Sequence, residues 1–250
     1  MSRSPKIMKT KNFIAPSFSK IYLVGCGGTG GYLATGLAKI IAGYEINAEL
    51  ILVDHDTVEQ GNLSRQEFMP WETGENKAIA LAERLNERYG LKIAAIDRRW
   101  GKNQRSTHDS LVISCVDNVA SRKEMKDLGF WLDLGNGRDQ GQAIFGTTPH
   151  KTPVKKEVQQ WDKTPVVASL PNAYLVAGMK NLKDRKQQPS CAQTPFDEQG
   201  VLINQWAAQA GLAILHQLLV LREVSTPSIY FDTTKARMLP ASITPEYLKV

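Results

Sequence analysis

The chain is poor in cysteine, and its three cysteines, Cys26, Cys115 and Cys191, stand far apart. Thiols without a two-residue spacing exclude a disulfide framework and leave no CxxC pair for a tetrahedral zinc site, so no zinc is expected. They fit a reducing cytoplasm. Long apolar runs are missing too. None approaches the ~20 residues of a membrane-spanning helix, so no membrane role is expected. The N-terminus, MSRSPKIMKTKNF, is basic but has no apolar core, and does not read as a secretory signal. The sequence holds no internal repeat and no low-complexity tract, which sets repeat architectures aside.

What is present is a chain of 250 residues, 42% apolar and 22% charged, enough to bury one large core. The net charge is +6, with basic clusters at Lys6–Lys11, Lys151–Lys156 and Lys180–Lys186. Such clusters read as solvated loops and a basic tail. They also suit a polyphosphate or an acidic partner, and leave nucleic acid open.

Residues 1–19 read as a basic arm and 20–250 as a single domain. Short apolar runs at Ile21–Val24, Leu50–Val53, Leu91–Ala95, Leu111–Cys115 and Phe130–Leu134 alternate with helical spacing over Gly28–Ala42, Glu75–Tyr89 and Val119–Leu128. This alternation predicts an α/β fold, a Rossmann-like, doubly wound and mainly parallel sheet. The alternation stops after about residue 135. An antiparallel strand (QAIFG) is expected next, then a long crossover loop over about 149–198 with short helices, partly mobile. An apolar helix over Gln199–Val220 follows, and SIYFDTTKARMLP closes the chain's pattern as a strand, a turn and a short strand, a C-terminal antiparallel extension.

The first strand runs into Gly25-Cys26-Gly27-Gly28-Thr29-Gly30. A glycine-rich turn between strand and helix lets backbone N–H groups approach a phosphate at a helix N-terminus. Taken alone it is also an ordinary tight turn. Cys26 has no neighbouring base in sequence to make it a nucleophile. The second strand ends in Asp54, 24 residues after Gly30, where a carboxylate can accept hydrogen bonds from ribose hydroxyls. In a nicotinamide enzyme the pattern would stop there. Here it continues through Asp56, Val58, Asn62, Leu63, Arg65 and Gln66, then Lys77, then Cys115-Val116-Asp117-Asn118.

These spaced elements resemble the ThiF/MoeB family, bacterial relatives of ubiquitin-activating enzymes, whose pattern is a glycine loop, D-x-D-x-V-x-x-x-N-L-x-R-Q, a lysine, and an aspartate in C-x-D-N. The likeness covers about residues 20–135. It implies ATP-dependent adenylation of the C-terminal carboxylate of a small ubiquitin-like or sulfur-carrier protein, usually by a homodimer. By resemblance, Arg65 and Lys77 would meet phosphate oxygens, Asn62 would donate its amide, Asp117 would hold Mg²⁺, and Asp54 would take the ribose. Gly25, Gly27, Gly28, Gly30, Asp56 and Gln66 would complete the nucleotide site. Cations and fixed donors are what such chemistry needs, because two anions meet and charge builds on the leaving pyrophosphate. Each residue has a plainer role. Arg65 passes as a surface arginine, Lys77 as a solvated helix lysine, and Asp117-Asn118 as a helix cap.

Some family members carry a crossover cysteine that takes the carrier as a thioester. Cys191, among Lys180, Lys183, Arg185 and Lys186, occupies such a place, and nearby cations favour thiolate. The glycine-rich segment and the Pro-Ser-Cys loop are similar to the ThiF-type protein of ParB-related, ThiF-related (PRTRC) plasmid cassettes, which would imply a ubiquitin-like protein and a JAB-type peptidase as partners. The family's partner-derived arginine finds only Arg3 in the arm here. The alternatives are adenylation of a tRNA base or small-molecule carboxylate, a non-catalytic nucleotide-bound scaffold, and a nicotinamide oxidoreductase.

Overall fold

A computed structural model describes residues 9–101, 107–179 and 201–250. Strands β1 (Phe13–Ile14) and β2 (Lys20–Val24) lead into helix α1 (Gly28–Gly43). Then come β3 (Glu49–Asp54), α2 (Lys77–Tyr89), β4 (Ala94–Asp97), β5 (Ser110–Ser114), α3 (Val119–Glu124), β6 (Trp131–Asn136) and β7 (Gln140–Gly146). Helices α4 (Lys151–Gln159) and α5 (Ala173–Val176) occupy the described part of the crossover. The chain continues with α6 (Val201–His216), β8 (Glu223–Val224), β9 (Ser228–Asp232), β10 (Arg237–Ala241) and α7 (Pro245–Leu248).

The main sheet has the order β10-β9-β7-β6-β5-β2-β3-β4. β6, β5, β2, β3 and β4 run parallel, and β7, β9 and β10 are antiparallel, as the sequence pattern predicts. The chain winds one way from β2 through β3 to β4, then returns to β5 on the other side of β2. Every residue of β5 is buried, as expected of a strand covered on both faces. Along β2 the side chains alternate between two cores. Ile21 and Leu23 pack with Leu33, Leu37, Leu81 and Ile214 on the side of α1, α2 and α6. Val24 packs with Val53, Val112, Met125 and Trp131 on the opposite side.

Residues 9–19 of the expected arm are part of this fold. Phe13–Ile14 pairs with Glu223–Val224, and Phe13 and Phe18 are buried against Phe130. Three boundaries also move. α2 begins at Lys77 rather than 75 because Asn76 caps it; α3 is one turn and a half rather than the expected run to Leu128; β4 lies three residues later than expected. α6 ends in a π-turn over Gln217–Leu221.

Candidate functional site

In-register pairing brings the C-terminal ends of β2, β3 and β5 to one sheet edge: Val24 stands opposite both Val53 and Ser114, and Asp54 opposite Asp97. The chain reverses its winding between β2 and β5, the place where open α/β sheets form a ligand crevice. A cavity of about 570 Å³ lies there. The sequence-predicted residues Gly25, Gly27, Gly28, Asp54, Asp56, Asn62, Gln66, Lys77 and Asp117 all line it.

The glycine turn is dictated by close backbone approach. Gly25 has φ +90°, and a Cβ on Gly30 would fall 1.8 Å from Gly25 O. Neither position admits another residue without moving the turn. Gly30 thus shapes the turn from behind and is not part of the lining. Cys26 is fully buried, and burial holds its thiol well above the ordinary range. It is a packing residue here, as is the backbone of Cys115, 3.0 Å from where a Gly25 Cβ would be.

Asp54 ends β3, buried. Its carboxylate accepts from the N–H of Cys26 at 2.6 Å and of Asp56 at 2.9 Å. Burial raises its pKa, against the lowering effect of those two donors. Asn76 organises the loop that follows. Its Oδ1 accepts from the N–H groups of Ala78 and Ile79 at 2.9 and 3.2 Å, while Nδ2 donates to Asp54 O, Asp56 O and Asp97 Oδ1 at 3.0, 3.2 and 2.8 Å. One side chain therefore caps α2, ties two strand ends together, and places Lys77 at the first position of the helix. Lys77 is buried, with only 8% of its side chain exposed, and its Nζ is 3.4 Å from Asp56 Oδ2. A cation at a helix N-terminus opposes the helix dipole, so this lysine is placed against the preference of its own helix. An anion bound beside it would offset that cost.

Asn62 and Gln66 share one side of a helical turn, with the N–H groups of Arg65 and Gln66 both bonding to Asn62 O at 3.0 and 2.8 Å. Residue 65 is rotated by about 100° from residue 66 in such a turn. Arg65 is buried and is not among the residues that line the cavity. Gln66 is buried beside Gly27, and among the described residues its Oε1 has no hydrogen-bond partner. Asp117 is exposed at the rim, and Asn118 caps α3 by accepting from Ser121 N–H at 2.7 Å. Asp117 accepts from Asn118 Nδ2 at 3.3 Å and lines the cavity. His55 sits beside both acids, its Nε2 3.2 Å from Asp56 Oδ1.

Sequence reasoning missed Arg98, Arg99 and Trp100, which also line the cavity. They follow β4, whose end is level with Asp54. Asn136 and Asn204 line it too, from β6 and α6. Cys191, Arg3 and the 180–186 cluster lie outside the described residues.

Residues 11–134 match the ThiF family model. The rabbit (Oryctolagus cuniculus) ubiquitin-like modifier-activating enzyme 1 is 30% identical over 118 residues, 46% of this chain and 11% of that protein. Mouse (Mus musculus) adenylyltransferase and sulfurtransferase MOCS3 is 36% identical over 115 residues, 43% of this chain and 23% of that one. The chain thus spans under a quarter of either relative. Escherichia coli MccB, solved with AMPCPP and MccA, shares the fold with a TM-score of 0.57 at 17% identity, over 90% of this chain and 64% of that chain. By the sequence it matches, and by a sheet and glycine turn of the expected kind, this chain belongs to the ThiF family over residues 11–134.

Proposed function

We propose that this protein is an ATP-dependent adenylyltransferase that activates the C-terminal carboxylate of a small ubiquitin-like or sulfur-carrier protein. The observation that carries the reading is Lys77: a buried lysine, set against its own helix dipole, in the cavity that also holds the glycine turn. In this reading the first turn of α1 receives phosphate on its free N–H groups. Asp54 takes the ribose hydroxyls with the lone pairs that Cys26 and Asp56 leave. Lys77, Arg98 and Arg99 balance charge as the acceptor carboxylate approaches the α-phosphate and pyrophosphate departs. Asn62 and Gln66 supply neutral amides, and Gln66 Oε1 is an acceptor still to be satisfied. Arg65 acts by holding the 62–66 turn. Asp117, a hard oxygen ligand at the rim, fits Mg²⁺, which would screen the phosphates from the incoming carboxylate.

Support comes from the family match, from the activating and adenylyltransferase relatives, and from a fold shared with MccB. A homodimer, and a thioester on Cys191, belong to the same proposal. The test is pyrophosphate exchange into ATP. It should require Mg²⁺ and a polypeptide bearing a free C-terminus, and should fall at least tenfold in Lys77→Met. Exchange driven equally well by small carboxylates would move the reading to a small-molecule substrate. Failure to bind AMPCPP would end it.

A further inference from the structure

Helices α1 and α6 lie side by side and parallel. A Cβ on Gly28 would fall 2.3 Å from Asn204 Nδ2, and a Cβ on Gly36 would fall 2.3 Å from Leu212 Cδ1, the same spacing on both helices. Their first turns therefore meet at one point of the sheet edge. There Asn204 is buried, and its Oδ1 accepts from Thr29 Oγ1 at 3.1 Å and from Asn136 Nδ2 at 2.9 Å. Asn136 Nδ2 also points at Thr29 Oγ1, at 3.4 Å.

This network fixes which way the Asn136 amide faces. Both of its N–H bonds are directed to α1 and α6, so its carbonyl oxygen is turned away from them. Among the described residues, that oxygen accepts no hydrogen bond. Asn136 is half-buried and lines two cavities at once: the one holding the glycine turn, and a second of about 500 Å³ that reaches Gln142, Tyr230, Arg237 and Leu239 on the antiparallel strands. Between the cavities the Asn136 amide thus presents its acceptor, not its donor.

An acceptor repels a carboxylate but fits an N–H. We propose that Asn136 Oδ1 receives the backbone N–H of the last residue of the acceptor polypeptide, with the chain's tail in the second cavity and its terminal carboxylate carried past Asn136 to the α-phosphate. Asn204 is the positioning residue that sets the amide's polarity. The substrate class is then an amide-linked terminal residue, and a carboxylic acid lacking that N–H is discriminated against. This rests on the adenylyltransferase reading above.

Two non-hydrolysable acyl-adenylate mimics test it: 5′-O-[N-(acetylglycyl)sulfamoyl]adenosine and its acetylsarcosyl counterpart, which differ by one N-methyl group in place of the N–H. Wild-type protein should bind the glycyl compound at least tenfold tighter. In Asn136→Ala and in Asn204→Leu that ratio should fall to about one, while an unchanged circular-dichroism spectrum reports an intact fold. A purely structural role for either residue would weaken both mimics in parallel and keep the ratio. A kept ratio overturns the proposal. So does a ratio of one in the wild type that binds AMPCPP, with the nucleotide reading left standing. A wild type that binds neither AMPCPP nor the mimics overturns both.

Discussion

Arg122 closes on Asp133 as a fork, its Nε 3.0 Å from Oδ1 and its Nη2 in contact with Oδ2. The carboxylate is wholly buried and takes a further hydrogen bond from Ser114 Oγ at 2.7 Å, which in turn accepts from Trp131 Nε1 at 2.8 Å. The pair joins α3 to β6, and Arg122 lines the second cavity. Removing the carboxylate leaves the largely buried Arg122 guanidinium without its partner. Asp133→Asn should lower unfolding free energy by about 3–5 kcal/mol in urea titration. Arg122→Met combined with Asp133→Leu should recover most of that loss, because no charge is then left without its partner. A double variant as unstable as the single one would count against this account.

Lys77 should show the opposite balance. Its ammonium is placed against the α2 dipole. Lys77→Met should leave the free protein's melting temperature unchanged or higher. It should cost at least tenfold in AMPCPP affinity, about 1.4 kcal/mol. Thermal melts with and without AMPCPP check both halves together. A variant that melts lower yet binds as before would assign Lys77 to packing.

Asn76 allows its two tasks to be separated. Asn76→Ala removes the cap and the three donated hydrogen bonds, and should cost about 1–2 kcal/mol of stability from the cap alone. Asn76→Asp keeps an acceptor for Ala78 and Ile79 but replaces the donor with a charge facing Asp54 O, Asp56 O and Asp97. It should retain the helix, as read by circular dichroism, and still lose nucleotide affinity. Equal affinity in Asn76→Asp and wild type would mean that the loop needs no tie.

Asp54 carries a pH signature. Burial raises its folded pKa above that of the unfolded chain, so the folded state holds the proton longer. Its contribution to stability is complete below the unfolded value and is lost as pH rises through the folded one. The stability of wild type relative to Asp54→Asn should therefore decline as pH is raised from about 3.5 upward, since the unfolded carboxyl titrates near 3.9. Urea midpoints of the two proteins across that range decide it. A difference that grows with pH would reverse the sign.

Much of this was legible because burial leaves a two-residue rhythm in strands and a wider one in helices. β2, β3, β5 and β6 were found within two residues of their ends, and so was the antiparallel turn of the sheet after β6. The rhythm fails where caps and edges decide. Asn76 ends a loop that looks helical from Glu75 on, and β4, an edge strand with alternate residues exposed, has too little apolar content to fix its ends. At the site, residues close in sequence to a recognisable pattern were found. Arg98, Arg99, Asn136 and Asn204 were not, because sheet register and helix packing bring them in from strands and helices whose own sequence carries no mark of it.

The bond from Thr29 to Asn204 spans 175 residues. At ribosomal speeds of about 5–20 residues per second, the turn at one end waits roughly 9–35 s for the helix that braces it. During that interval Leu33 and its neighbours lack the α6 surface they finally pack on. Nascent chains of this protein should therefore be clients for chaperones until late in translation, and nucleotide should gain its hold only on chains that have reached that helix.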